Sequence, residues 1–151
     1  MDAAIDAVRV AGTPDGPVPV VVLATGSEPD DVLPIFIEFD QAMSISRGLA
    51  AEDIGRPLTH DLMLDVIEEL GGRVTRIVVS AVEEGTYLAD LHIDTPRAKD
   101  VVIDARPSDA LALAARTNAP VEVDEDVFDD GRRPREDFDE LQEIHEVVER
   151  V

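Results

Sequence analysis

Apolar and polar residues alternate in the first part of the chain in the two-residue period typical of β-strands. Residues 3–10 and 18–25 each predict a strand, and the intervening segment 12–17 is rich in turn-forming residues. A short apolar run over 32–37 predicts a third strand. Pro34 within that run indicates an edge position or a bulge, because proline cannot donate to a sheet hydrogen bond.

The period then changes to that of helices. Asp40 is the expected N-cap of a helix over about 41–50, and Thr59 is the expected N-cap of the next one. Gly71 and Gly72 predict the end of the second helix. Its apolar residues recur on one face, which predicts burial of Leu62, Met63, Val66, Ile67 and Leu70.

Residues 73–82 and 86–93 predict a hairpin with one apolar face, formed in the second strand by Tyr87, Ala89, Leu91 and Ile93. Residues 101–103 predict another, buried strand. Pro107 predicts the start of a helix that continues to about Thr117. Its segment 110–115 has no polar face, so we expect this helix to be largely buried.

The C-terminal part predicts a short strand over 120–123, a charged linker over 124–135 and an amphipathic helix over 136–150. That helix packs either on the domain or on a partner chain. We therefore expect one domain over 1–128, followed by a linker and helix over 129–151. The order of elements lacks a regular βαβ alternation, which favours an α+β fold with a mixed sheet.

Charge is the most extreme feature of the composition. Asp and Glu total 34 against 13 basic residues, the formal net charge is −21, and Lys99 is the only lysine. A chain this acidic repels itself unless salt screens the charge. We interpret this as adaptation to a salt-rich, haloarchaeal-like cytoplasm; the alternative is an ordinary acidic protein. Because the charge can reflect the solvent, it does not exclude a nucleic-acid substrate.

Several classes of protein are excluded or disfavoured. The chain has no cysteine, which excludes disulfides, thiolate zinc sites and a cysteine nucleophile. It has no apolar run of roughly 20 residues and no signal-peptide pattern, so we expect a cytoplasmic protein without membrane contact. Phosphate-loop and dinucleotide-binding fingerprints are absent as well.

The candidate chemistry lies at two Arg-Pro helix starts, residues 56–61 and 104–109. A helix N-terminus presents free backbone N–H groups and favours anions. Arg56 and Arg106 add planar donors suited to a phosphate. Each start also carries a hydroxyl residue, Thr59 or Ser108, followed by an aspartate.

The aspartates of these segments, Asp61, Asp104 and Asp109, are hard oxygen ligands of the kind that magnesium or manganese prefers. His60 is a candidate general acid or base. These parts suit metal-assisted hydrolysis of a phosphodiester. The alternative is purely structural: the aspartates complement helix dipoles, and Arg106 pairs with Asp104 or Asp61 to hold the two helix starts together.

Other candidates are weaker. Asp90, His92 and Asp94 alternate onto one strand face and could bind a metal, but a solvated acidic face is the better explanation, because Leu88 shares that face and Asp is abundant throughout the chain. His145 stands beside Glu146 in the predicted C-terminal helix and is expected at the surface.

Four ordered segments resemble the bifunctional nuclease family. Residues 56–62 and 104–114 are similar to its two signature segments, 33–37 with Gln41-Ala42 to a third landmark, and 85–91 to its hairpin. The similarity covers about residues 5–128. The sequence departs from the family pattern at Glu38-Phe39, where a glycine is usual.

The resemblance implies an α+β domain, often oligomeric, in a family whose name reflects DNase and RNase activity. It therefore implies DNA or RNA as partner, a homo-oligomer with a dimer favoured, and Mg²⁺ or Mn²⁺ as the cofactor candidates. The alternative function is a non-catalytic binding or regulatory module in a homo-oligomer. The site positions expected from the motifs are His60, Asp61, Asp104 and Asp109 for catalysis, and Arg56, Thr59, Arg106 and Ser108 for substrate binding.

Overall fold

The structure is a computed structural model that describes residues 1–52 and 55–148. Within these residues, nine strands form one sheet, and α-helices lie against it. The strands are β1 Asp2–Thr13, β2 Gly16–Ala24, β3 Asp31–Phe36, β4 Arg73–Glu83, β5 Thr86–Asp94, β6 Val101–Ala105, β7 Val121–Val123, β8 Arg133–Pro134 and β9 Gln142–Glu143. The helices are α1 Phe39–Ala50, α2 Thr59–Glu69, α3 Pro107–Thr117, α4 Glu125–Gly131 and α5 Ile144–Val148, with a short 3₁₀ turn at Arg135–Asp137.

The sheet is mixed. Its strand order is β6-β5-β4-β7-β1-β2-β3-β8, and β9 also pairs with β1. The pairing of β4 with β7 is parallel, whereas the two long hairpins, β1–β2 and β4–β5, are antiparallel. The prediction of an α+β fold with a mixed sheet and a β-hairpin is confirmed.

Two halves of the fold repeat the same arrangement of a hairpin, a third strand and a helix. Strand β2 begins at Gly16 and β5 at Thr86, an offset of 70 positions, and their ends at Ala24 and Asp94 keep that offset. The turn that follows is also shared, because Thr25 Oγ1 accepts from the Glu28 N–H just as Thr95 Oγ1 accepts from the Ala98 N–H. Helices α1 and α3 therefore occupy corresponding places.

The main core lies between the sheet and the layer made by α1 and α3. The predicted burial of α3 is confirmed, since its residues 110–114 are all nearly inaccessible to water. The predicted apolar face of the second hairpin strand is confirmed too, with Ala89, Leu91 and Ile93 buried. Aliphatic side chains supply most of this core, whose burial is the main favourable term in folding.

The C-terminal region differs from the prediction. Instead of a linker over 124–135, helix α4 forms there, and Asp124 caps it through a 3.0 Å hydrogen bond from the Asp126 N–H. Instead of one helix over 136–150, the 3₁₀ turn, β9 and the short α5 follow. Phe138 covers a second apolar cluster on the other sheet face, and Ile144 enters the main core. An amphipathic pattern alone could not reveal that these apolar residues pack on opposite faces of the sheet.

Two further expectations are corrected. Strand β6 is an edge strand, and Val102 on it is 51% exposed, because no strand pairs with its outer side in the described part of the chain. In α2 the buried residue is Leu64, whereas the predicted apolar face is largely exposed at Leu62, Met63, Val66 and Leu70. No helix in the described ranges has the length and apolar character required to cross a bilayer.

Candidate functional site

Three helices begin at one cleft of about 600 Å³, which we call the helix-start cleft. The predicted helix boundaries shift slightly here: the N-cap of α1 is Glu38 rather than Asp40, and the N-cap of α2 is Leu58 rather than Thr59. The cleft is lined from the first turns of all three helices, by Glu38, Asp40 and Gln41 of α1, Leu58, Thr59 and His60 of α2, and Arg106 and Asp109 of α3. Each helix start contributes positive potential, and Arg47 and Arg106 add positive charge, whereas Glu38, Asp40 and Asp109 add negative charge.

The third residue of each helix distinguishes the start of α3 from the starts of α1 and α2. In α1, Gln41 Oε1 accepts from the Glu38 N–H at 2.9 Å, and in α2, Asp61 Oδ2 accepts from the Leu58 N–H at 3.1 Å. These are ordinary helix caps, in which the side chain satisfies a free backbone donor. Asp109 occupies the same place in α3, but both of its oxygens bind other side chains. Asp109 is therefore oriented toward the cleft instead of toward its own backbone.

Asp109 belongs to a chain of side-chain hydrogen bonds that joins all three helices. Its Oδ1 lies 2.9 Å from His60 Nε2, and His60 Nδ1 lies 2.6 Å from Ser44 Oγ. An ionised carboxylate only accepts hydrogen bonds, so neutral His60 must carry its proton on Nε2. Nδ1 then accepts from the Ser44 hydroxyl. The His60 side chain is 11% exposed and that of Asp109 is 32% exposed, so Asp109 is the member that solvent or a ligand reaches.

Arg116 fixes the other end of this chain. Its guanidinium donates to Asp61 Oδ1 at 2.7 Å, to the Ser44 backbone carbonyl at 2.9 Å and to Ser44 Oγ at 3.2 Å. The hydrogen bond from Arg116 is the main reason that the pKa of Asp61 lies below its ordinary value. The Arg116 side chain is only 9% exposed, and its ion pair with Asp61 and hydrogen bonds to Ser44 tie α1, α2 and α3 together.

Arg106 stands at the mouth of the helix-start cleft and is 73% exposed. Its Nε donates to Asp109 Oδ2 at 3.2 Å, which leaves the terminal amino groups of the guanidinium without a described partner. Arg106 and Gln41 also line a second cleft of about 570 Å³. We call it the aromatic cleft, since Phe36, Tyr87 and Phe138 contribute to its wall.

The structure thus brings together His60, Thr59, Arg106 and Asp109 from the predicted set. Asp104 is separate, because it is exposed on β6 opposite Asp90 and lines neither of the two clefts. Arg56 is exposed before α2 and makes no ion pair within the described residues. Ser108 is buried and lines the aromatic cleft, and Asp61 faces Arg116. The predicted structural pairing of Arg106 with Asp104 or Asp61 is wrong; Arg106 pairs with Asp109.

The weaker candidates have structural partners. His92 is buried, and its Nδ1 lies 2.6 Å from Asp100 Oδ1, a contact that is the main cause of the lowered pKa of Asp100. His145 Nδ1 lies 3.4 Å from Glu143 Oε2 at the surface. Across residues 1–52 and 55–148, no three His, Asp or Glu side chains come close enough to bind one metal ion.

The family assignment follows from a comparison with known domains. A family model described as "Bifunctional nuclease domain" matches residues 21–136. This range includes all three helix starts and most of the sheet. The chain belongs to the bifunctional nuclease domain family.

Two relatives illustrate the spread of the family. An uncharacterized protein of Mycobacterium tuberculosis is 36% identical over 108 residues, which are 72% of this chain and 63% of that protein. "Bifunctional nuclease 2" of Arabidopsis thaliana is 27% identical over 105 residues, which are 68% of this chain and 32% of the plant protein. The chain thus spans less than two thirds of the length of either relative.

Two residues of this hydrogen-bonded chain, Arg116 and Ser44, were not predicted from the sequence. Arg116 is a cation in the last turn of a largely buried helix, and a buried charged group requires a partner. The sequence therefore indicated that Arg116 has a partner, although it did not identify that partner as Asp61. Ser44 is one of many small polar helix residues and gave no signal of its own. The helix contact that makes it a partner of His60 exists only in the folded chain.

Proposed function

We propose that this bifunctional nuclease domain hydrolyses phosphodiester bonds of nucleic acid in the helix-start cleft. The observation that carries the proposal is the position of Asp109, which is oriented into the cleft by His60 on one oxygen and by Arg106 on the other. Family membership and the convergence of three helix starts support it.

In the proposed reaction, Arg106 and the N–H groups of the helix starts hold the non-bridging oxygens of the phosphodiester. A water oxygen forms a bond to phosphorus, and the water proton passes to Asp109. The bond from phosphorus to the leaving oxygen breaks, and that oxygen takes a proton from solvent. The products are a phosphomonoester and an alcohol. His60 is a positioning residue that fixes the Asp109 carboxylate, and Ser44 in turn fixes the imidazole.

The residues of the cleft do not fit a resident divalent ion. An ion that stays bound without substrate needs several protein ligands, and the described residues offer no converging set of three His, Asp or Glu side chains. We propose that the step runs through Asp109 and Arg106, without a metal. Assays with Mg²⁺, Mn²⁺ and EDTA test this part of the proposal, and an absolute requirement for one ion would contradict it.

The decisive experiment compares initial cleavage rates on labelled single-stranded and duplex DNA and RNA. We expect Asp109→Asn to lower the rate by about 100-fold or more, which is the usual contribution of a proton-transfer group. Asp65→Asn, an exposed change on α2, is the matched control and should retain the wild-type rate. Full activity of Asp109→Asn in folded protein would disprove the site.

A second candidate is a non-catalytic binding module that uses the same cleft. It is favoured by the ion pair of Asp61 with Arg116, which leaves Asp109 as the one predicted catalytic aspartate that lines the helix-start cleft. This candidate predicts that wild type binds an anionic ligand and that Arg106→Ala weakens this binding. It also predicts no turnover in any of the nuclease assays, whereas the nuclease proposal requires turnover.

We also propose that the protein works in a salt-rich cytoplasm. The support is the net charge of −21 with a single lysine. Salt shortens the range of repulsion to roughly 3 Å at 1 M, so KCl should stabilise the fold. The melting temperature should rise between low and molar KCl. A midpoint that stays constant over this range would contradict salt adaptation.

A further inference from the structure

The aromatic cleft concentrates a scarce type of residue. The chain has only five aromatic residues, all within the described ranges, and three of them line this cleft. Phe36 is the one exposed member of the five, at 54%. Tyr87 is half-buried at the tip of the β4–β5 hairpin, and burial raises the pKa of its hydroxyl. An exposed ring in the same cleft as a half-buried ring offers a stacking surface that the fold itself leaves uncovered.

Tyr87 packs directly against a residue that has no side chain. Gly131 ends α4 beneath the tyrosine, and a Cβ at this position would collide with the Tyr87 hydroxyl. The same Cβ would come within 2.6 Å of Leu33 Cδ1. The lack of a side chain at Gly131 is therefore needed for the present position of the Tyr87 ring.

The charge of the aromatic cleft contrasts with that of the chain. Its charged lining residues are Arg106, Arg133 and Asp137, so the cleft is net positive in a protein of net charge −21. The Arg133 guanidinium donates to the Arg132 carbonyl at 2.7 Å, and no carboxylate within the described chain pairs with it. An arginine that is unpaired in so acidic a protein is available to an anionic ligand.

The two clefts adjoin each other. Arg106 and Gln41 line both of them, so a phosphate held by Arg106 in the helix-start cleft would place the adjoining nucleoside at the aromatic cleft. Phe36 and Tyr87 could then stack on its base, and Arg133 could contact the next phosphate. Base stacking on an aromatic side chain tolerates any base, because every base has a π-face.

We propose that the aromatic cleft is a nucleobase subsite and that the substrate is single-stranded nucleic acid. This inference rests on the proposed nuclease function of the helix-start cleft. A base inside a duplex is already stacked on both faces and cannot present one to Phe36. A duplex would also bring a second phosphate backbone toward an acidic surface, where it is repelled.

The test measures binding separately from cleavage. The probe is a fluorescently labelled, single-stranded phosphorothioate oligomer of eight thymidines, used at the lowest KCl concentration at which melting shows folded protein. We expect Phe36→Ala to weaken binding about tenfold. Phe36→Tyr keeps the ring and should retain affinity. Val102→Ala, an equally exposed apolar change on the opposite sheet edge, is the matched control.

A second probe makes the test specific for the base. An oligomer of abasic residues has the same backbone, so wild type should bind it as weakly as Phe36→Ala binds the thymidine oligomer. Phe36→Ala should cause no further loss with the abasic oligomer. Arg133→Ala should weaken binding of both oligomers, whereas Arg97→Ala, an exposed loop change, should weaken neither. DNA, RNA and duplex versions of the first probe establish the preferred strand type.

The outcomes separate the two proposals. If the unmodified oligomer is cut but Phe36→Ala binds and cuts like Val102→Ala, the nucleobase subsite is wrong and the nuclease proposal stands. If binding depends on Phe36 but no strand is cut, the subsite stands and the nuclease proposal falls. Absence of both binding and cleavage overturns both. A change in oligomeric state with Phe36→Ala would instead assign the aromatic cleft to a second copy of the chain.

Discussion

His60 of α2 and Asp109 of α3 are joined by a 2.9 Å hydrogen bond between Nε2 and Oδ1, across 49 positions of sequence. This bond exists only because α2 docks against α3, and Arg116 secures that docking through Asp61. The orientation of the Asp109 carboxylate therefore depends on the contact between α2 and α3 that Arg116 and Asp61 make. Changes at that contact should affect activity and stability to different degrees.

Ser44→Ala should lower kcat about tenfold with little change in KM. It removes the hydroxyl that holds His60 Nδ1, and loss of one such hydrogen bond corresponds to roughly this factor. Ser44→Thr keeps the hydroxyl and should restore the rate, which a merely steric role for Ser44 would not explain. Ser46→Ala on the same helix provides the control. Equal rates for Ser44→Ala and wild type would show that His60 needs no such support.

Asp61→Ala should destabilise the fold by about 2 kcal/mol, because it leaves the poorly exposed Arg116 guanidinium without its carboxylate. Asp65→Ala removes an exposed carboxylate from the same helix and should change the free energy of unfolding by no more than about 0.5 kcal/mol. Denaturant unfolding of both variants gives the comparison. Similar values for the two variants would mean that the Asp61–Arg116 pair does not hold the helices together.

The same pair predicts a pH dependence of stability. The pKa of folded Asp61 is lowered, chiefly by the Arg116 hydrogen bond, so folding favours the ionised form. Its stabilisation is complete above the ordinary aspartate pKa of about 4 and is lost as pH falls through the lower folded value. The difference in unfolding free energy between wild type and Asp61→Asn should therefore shrink from about pH 6 to about pH 3. A difference that is constant over this interval would contradict the assignment.

The sequence could predict features that depend on local periodicity. The apolar run of α3 and the alternating strand β5 have patterns that admit one interpretation, and both are buried as expected. The predicted face of α2 was wrong, because its apolar residues also allow a second face, and packing in the folded domain buries Leu64. The prediction for the C-terminal segment was wrong for a related reason, since its apolar residues pack into two separate clusters.

The candidate site was predictable as a set of residue types but not as a set of partners. Asp61 and Asp109 have the same place in their helices, and nothing local distinguishes them. One caps its own helix and binds Arg116, and the other faces the cleft, because of where the three helices meet. Asp104 has the right chemistry but faces away, because strand register decides the direction of its side chain.

The exposed apolar residues of α2 predict self-association. Leu62, Val66 and Leu70 form a stripe whose last member is 74% exposed, and patches of this kind usually mark contact surfaces. The combined change Val66→Glu with Leu70→Glu should lower the mass measured by light scattering to that of a monomer. Leu49→Glu, at an exposed leucine of α1, should leave the mass unchanged. A wild type that is already monomeric at high protein concentration would refute the expected homo-oligomer.

The repeated architecture of the two halves has a consequence for how a strand could lie in the helix-start cleft. Corresponding helices α1 and α3 carry opposite charges at their N-caps, Glu38 and Arg106, and both line the cleft. With arginine at both caps, a bound phosphate could lie near either helix start. With one acid and one base, the Arg106 end attracts phosphate and the Glu38 end repels it. The cleft thus has an electrostatic polarity, and a bound phosphate would lie toward the start of α3.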